Sequence, residues 1–286
     1  MEALSVKRIL VPYDFSKQAM NALDTAIAIS QQQNASVLIL HVIDNSRSML
    51  FGLKQIIISP VQDLARIAAE NLNMLVKTLS PKHDFAIEYQ VEVGIPAFTI
   101  CKVAWENDSD LVVMGKVRPA LKRIFQESVS YKVVKSAPCP VLSIPAERLF
   151  TRFKKIVFPV RAMPLMVEKY DLIRSFVRDN GATMVVAGLT SENNEQNYKR
   201  VSSSIEAVTG KLLLDGVRFT SRITFCTSIS GQLLEISENE EADLIVITCD
   251  VGSFLTTFFL EYYTRIVVEN ASCPVLSIHP DMLASN

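Results

Sequence analysis

The sequence predicts an α/β fold of two tandem units, each a doubly wound five-stranded parallel sheet flanked by helices. Three observations carry this. The chain repeats itself: SDLVVMG (109–115) matches ADLIVIT (242–248), YKVVKSAPCPVLSIP (131–145) matches TRIVVENASCPVLSIHP (264–280), and KRILVPYD (7–14) matches KKIVFPVR (154–161). Within each copy, short β-branched runs alternate with longer segments of helical period, the pattern of a parallel sheet with crossover helices. The runs are apolar at consecutive rather than alternate residues, as strands buried on both faces require. The strand order expected of such a unit is 3-2-1-4-5, flavodoxin- or Rossmann-like.

In chain order, the first copy reads as strands ILVPY, SVLILHVI, AIEYQVEV, DLVVMG and PVLSI. Between them the spacing predicts helices at Lys17–Gln32, about 61–79, Ala97–Asn107 and Ser128–Ser136, each with apolar residues three and four apart. Ser16 suits a helix cap and Pro96 a first helical position. The second copy repeats the scheme with IVFPV, TMVVAGL, FTSRITFCT, DLIVIT and PVLSI, and a helix over about 192–214 opens on the polar run SENNEQNYKR. The 286 residues suit two domains of ordinary size, expected at 1–148 and 149–286. The joint AERLFTRF (146–153) lacks the composition of a long flexible linker, so the halves are expected to stay close.

Charge is balanced, 29 basic against 30 acidic residues, which provides no global field for nucleic acid or an anionic membrane surface. Neither is expected as a partner. The five cysteines (Cys101, Cys139, Cys226, Cys249, Cys273) are odd in number and lack metal-ligand spacing, so no metal site is expected and a reducing, cytoplasmic setting is. No apolar run approaches the roughly 18 residues of a membrane span. His41, His83 and His279 stand alone, and neither a GxSxG elbow nor an intact GxxxxGK[ST] loop occurs. No catalytic residue is assigned, and the chain is expected not to be an enzyme.

In a doubly wound sheet, ligands sit beyond the carboxyl ends of the strands where the strand order reverses. That rule points to Asp14 and Gly115 in the first copy and to Arg161 and Thr248 in the second. The segments VPYDFS, LHVID, VEVGIPA, DLVVMG and SVSYKVVKSAPCPVLSIP resemble those of the universal stress protein family, in family order and twice over. The resemblance implies a stress-response protein in which the two copies stand for a dimer on one chain. Some members of the family bind adenine nucleotides and others do not. Carried over from binding members, Asp14 would face adenosine, Val42 would line the base pocket, and Gly94 would let backbone approach the ligand. Their phosphate loop runs glycine, two residues, glycine, nine residues, glycine, then serine or threonine. Gly115 matches the first glycine and Ser128 the final hydroxyl, with Ser130 beside it, but Arg118 and Glu127 replace the other glycines and the stretch is one residue short.

Those replacements weaken phosphate contacts, because glycine lets amide donors converge on an anion and Glu127 sets a carboxylate there. Pro119 also removes an amide donor. Lys116, Arg118, Lys122 and Arg123 offer charge in exchange, although a polar loop with solvated cations is the simpler reading. In the second copy Arg161, Thr248 and the run EYYT (261–264) replace the matching residues, and that site is read as lost. The expectation is therefore one weak site for ATP or AMP, in the first copy, built on Asp14, Val42, Gly94, Gly115, Ser128 and Ser130. The alternative is a scaffold that binds partners without nucleotide, and a slow ATP hydrolase ranks third. The two CPVLSI strands are expected to meet in an intrachain pseudo-two-fold pair that buries Val141, Leu142, Val275 and Leu276, with further homo-oligomerisation left open. Two apolar runs, 49–60 and 254–263, are read as packing segments, with Phe254, Leu255, Phe258 and Phe259 on one helical face.

Overall fold

The computed structural model describes residues 4–45, 58–116, 127–146, 152–190, 195–249 and 257–284. Arg118, Pro119, Lys122 and Arg123, the run 49–57, Phe254 and Leu255 lie outside the described residues, as do the side chains of 58–60 and 257–262. The chain divides into two compact units, Val6–Thr151, and Arg152–Asn286 together with Met1–Ser5.

In the first unit the strands are β1 (Arg8–Pro12), β2 (Ser36–Asp44), β3 (Ile87–Gly94), β4 (Leu111–Gly115) and β5 (Val141–Ile144). Their order is β3-β2-β1-β4-β5, all parallel. The helices are α1 (Lys17–Gln33), α2 (Ile58–Leu79), α3 (Pro96–Glu106) and α4 (Val129–Ser136). The strand order reverses between β1 and β4, as the sequence predicts, and α1 crosses over that point to pack on β1 and β4. Leu10, Val11, Ile39, Leu40, Val112 and Val113 are fully enclosed. Each such side chain stabilises the fold by about 1.5–3 kcal/mol relative to exposure.

The expected start signals are the ones used. Ser16 caps α1, its hydroxyl accepting from the Ala19 N–H at 3.2 Å, and Pro96 stands in the first turn of α3. At the other end of α1, Asn34 takes the left-handed conformation (φ 53°) and its N–H closes on the Ser30 carbonyl.

The second unit has β6 (Lys155–Val160), α5 (Met166–Asp179), β7 (Thr183–Thr190), α6 (Glu195–Leu214), β8 (Phe219–Phe225), α7 (Ile229–Asn239), β9 (Leu244–Thr248), α8 (Thr257–Asn270), β10 (Val275–Ile278) and a short α9 (Asp281–Ala284). Its order, β8-β7-β6-β9-β10, repeats that of the first. The repeat extends to single hydrogen bonds. Asp110 Oδ2 accepts the N–H groups of Lys7 and Arg8 at 2.8 and 2.9 Å, and Asp243 Oδ2 accepts those of Lys154 and Lys155, both at 3.0 Å. In both units one carboxylate ties down the entry of the central strand, where the amides would otherwise lack acceptors.

Leu4 belongs to the second unit through its backbone. Its N–H donates to the Leu172 carbonyl and its own carbonyl accepts from Ser175 Oγ, both at 2.7 Å, so α5 holds it.

Candidate functional site at the carboxyl end of the first sheet

Beyond β1 the chain turns sharply. Tyr13 still donates its N–H to the Leu40 carbonyl at 2.7 Å, and two residues of turn then separate it from the Ser16 cap. Phe15 takes up the turn in the left-handed region, φ 63°. That conformation costs a non-glycine residue about 1–3 kcal/mol and persists only where the surroundings hold it. Asp14 Oδ1 holds it from below by accepting the Ser16 N–H at 3.0 Å. From the side, the Phe15 ring meets Tyr13 edge-on at 5.2 Å and His41 at 5.0 Å between ring centres. His41 Nδ1 lies 2.8 Å from the Tyr13 carbonyl, which can only accept, so the proton is on Nδ1. In the sequence His41 stands alone; the fold ties it to this turn through the Tyr13 carbonyl and the Phe15 ring.

The other expected residues line the same edge. Val42 is half-buried on β2, one residue after His41. Gly94 closes β3, where its carbonyl accepts the Asn45 N–H at 3.3 Å. Gly115 ends β4. Ser128 caps α4 by accepting the Tyr131 N–H at 3.2 Å, and its hydroxyl lies 3.1 Å from that of Ser130. Asp14, two residues past β1, and Gly115, the last residue of β4, thus stand where the two central strands diverge, with the amino end of α4 beyond β4.

The two glycines are set by packing. A Cβ on Gly115 would lie 2.7 Å from the Gln18 backbone carbon, and one on Gly94 would lie 2.3 Å from Thr99 Oγ1. The space beside Gly115 is therefore filled by α1, and helix packing accounts for glycine there. Lys116 also departs from a solvated cation. It is 2% exposed, and its N–H donates to the Ile144 carbonyl at 2.8 Å. Glu127 pairs with Lys135 at 3.7 Å, which leaves a carboxylate next to the Ser128 cap.

The second unit presents cations at its corresponding end. Arg161 is buried, its guanidinium 4.2 Å from the centre of the Tyr263 ring. Lys169, 1% exposed, donates from Nζ to the Pro159 carbonyl at 2.7 Å and lies over Phe158. Such burial is sustained by the ring faces and the carbonyl. An open cleft of about 580 Å³ beside this loop is lined by Met163, Pro164, Lys199, Arg200, Ser203 and Ser204, with no carboxylate among its described lining residues. Among the described residues no cluster of three His, Cys, Asp or Glu could hold a metal ion, and no helix is long and apolar enough to cross a membrane.

Comparison with known proteins decides the family. The model of the universal stress protein family matches residues 5–145. Universal stress protein MJ0531 of Methanocaldococcus jannaschii is 30% identical over 142 residues, covering 48% of this chain and 81% of that protein. The chain belongs to the universal stress protein family. A universal stress protein from Archaeoglobus fulgidus superposes along nearly the whole length, with a TM-score of 0.78, 17% identity and 97% of each chain covered. A functionally unknown protein from Pseudomonas aeruginosa does so with a TM-score of 0.66, at 14% identity, covering 98% of this chain and 95% of that one. Both share the universal stress protein fold described here, through both of its units.

Proposed function

We propose that this universal stress protein is non-catalytic and has one weak adenine-nucleotide site, in the unit Val6–Thr151. The observation that carries the proposal is the state of Asp14. Its Oδ1 is committed to the turn, while Oδ2 has no partner among the described residues and the side chain is exposed. A fixed, solvated acceptor at the switch point is suited to the hydroxyl and amine donors of adenosine. Val42 offers an apolar flank, and the Ser128 and Ser130 hydroxyls lie at a helix amino terminus that favours an anion. The corresponding Arg161 offers donors only and is already stacked on Tyr263.

Glu127 supports the second reading, a scaffold that acts without nucleotide. Its carboxylate stands beside Ser128 and opposes a polyphosphate there, whereas a monophosphate brings less charge to that point.

Isothermal titration with AMP and ATP separates the readings. One site per chain is expected, with AMP binding about as well as ATP. Asp14→Ala should weaken it at least about tenfold, equivalent to about 1.4 kcal/mol, and Arg161→Ala should leave it unchanged. Two equivalent sites, or loss with Arg161→Ala alone, would reject the assignment. No heat at millimolar nucleotide would favour the scaffold, and phosphate release lost with Asp14→Ala would favour a hydrolase.

A further inference from the structure

The face of α3 turned away from the sheet carries large apolar side chains in solvent. Thr99, Ile100, Val103 and Ala104 fill the core, whereas Phe98 and Trp105 are each 70% exposed and Ile95 is 46% exposed. Phe98 and Trp105 are seven residues apart and share one stripe of the helix. Beside them runs α4, and the two helices enclose an open groove of about 740 Å³. Lys102 rises from α3 on one side; Lys132 and Lys135 rise from α4 on the other. Against these three cations the described lining residues supply one carboxylate, Glu127, paired with Lys135. Lys102 makes a 3.6 Å pair with Glu106, and Lys132 makes no ion pair among the described residues.

The repeat shows that the fold does not need this surface. Aligned on Asp110 and Asp243, which tie down their central strands identically, Phe98 corresponds to Gly231, Lys102 to Glu235 and Trp105 to Glu238. Aligned on Cys139 and Cys273, Lys132 corresponds to Ile266 and Lys135 to Glu269. The second unit builds the same helix pair from α7 and α8 with none of these five residues. At the positions that match it, the second unit therefore has no aromatic stripe edged with lysines. Contiguous exposed apolar patches mark interaction surfaces, and tryptophan is prominent among residues that anchor partners.

We infer that the α3–α4 groove docks an acidic amphipathic helix of a partner protein, with apolar side chains at three- and four-residue spacing against Phe98 and Trp105. Its flanking Asp or Glu residues face Lys102, Lys132 and Lys135. The stripe from Ile95 to Trp105 is about 15 Å long at 1.5 Å per residue, matching two to three turns of such a helix. The inference is independent of nucleotide binding, because the groove contains none of the six residues assigned to that site.

The test is selection of a displayed library of random 16-residue peptides against the full chain, with counter-selection against a Phe98→Ala/Trp105→Glu variant. Both side chains are mostly in solvent, so the variant is expected to fold. Enriched peptides should combine helical apolar spacing with acidic residues. They should bind the variant and Lys132→Glu at least about tenfold more weakly, and shift the emission of Trp105, the only tryptophan, to the blue. Failure to enrich any peptide over the variant would overturn the inference, as would enrichment of neutral or basic sequences or an unchanged Trp105 emission. Concentration-dependent self-association that shifts Trp105 emission in the same way would overturn it in favour of a second copy of this chain.

Discussion

The thiols show how much a single residue's surroundings decide. Cys139 is buried, and burial pushes its pKa up to about 12, reinforced by Asp110 and Cys101 and offset by a hydrogen bond to the Val112 backbone. Cys101, half-buried in the α3–α4 groove, is pushed up to about 11 by burial. The thiolate is the reactive form, so at pH 8 only about one molecule in 10³ to 10⁴ presents a nucleophile at these positions. Iodoacetamide at pH 8, followed by peptide mass spectrometry, should label both at least about tenfold more slowly than free cysteine, with the rate rising steeply toward pH 10. Rapid labelling of Cys101 at pH 8 would show that the groove is more polar than its lining indicates. Among the groups with shifted pKa, none stands in the Asp14 turn as a poised base apart from Tyr13, which burial and then Asp24 and Asp14 shift upward, away from neutrality.

At the scale of elements, the two copies differ in where the first crossover helix begins. The repeat offset of 147 residues, from Lys7 to Lys154, aligns Met166, the first residue of α5, with Ala19 rather than with Lys17, the first of α1. The counterpart of Gln18 is then Leu165, a left-handed residue (φ 66°) outside the helix. Gly115 meets the Gln18 backbone, whereas β9 carries Thr248 at the matching strand end. Gly115→Thr should therefore displace the first turn of α1 and cost about 1–3 kcal/mol in urea unfolding, while Thr248→Gly should cost no more than about 1 kcal/mol. Equal effects would mean that the helix start does not govern the choice. The sequence makes the strands, their order and the Ser16 and Pro96 starts legible because these depend on local chemistry and on the apolar pattern. It does not reveal the purpose of Gly115, since a glycine that admits a helix and one that admits a ligand are the same letter. Phe98 and Trp105 are hidden for a related reason. Apolar residues at helical spacing read as core, and only the packed structure shows that this stripe faces outward. In the candidate site, Asp14, Ser128 and the two glycines could be named from the sequence, but the Phe15 and His41 contacts that hold the Asp14 turn could not, because they join residues on different strands.

The whole molecule is two copies of one fold, and the second does not close on itself. Leu4 precedes the first unit in sequence yet is hydrogen bonded through both its backbone groups to α5 of the second. Removing residues 1–5 should loosen α5 by about 1–2 kcal/mol, as two hydrogen bonds of ordinary net strength imply. By hydrogen exchange, amides in Met166–Asp179 should then open about 5–30 times more readily, with Leu111–Gly115 unchanged. Equal acceleration in both regions would show that the segment serves the first unit as well. This transfer of a terminal segment to the second unit bears on how such a gene can evolve. A duplication is ordinarily reversible, because recombination between the copies can delete either one and leave the other whole. Here a deletion that removed the first copy from its start would also take Leu4 away from α5. A residue borrowed across the repeat boundary makes the second copy depend on the segment that precedes the first, and it opposes a return to a single copy.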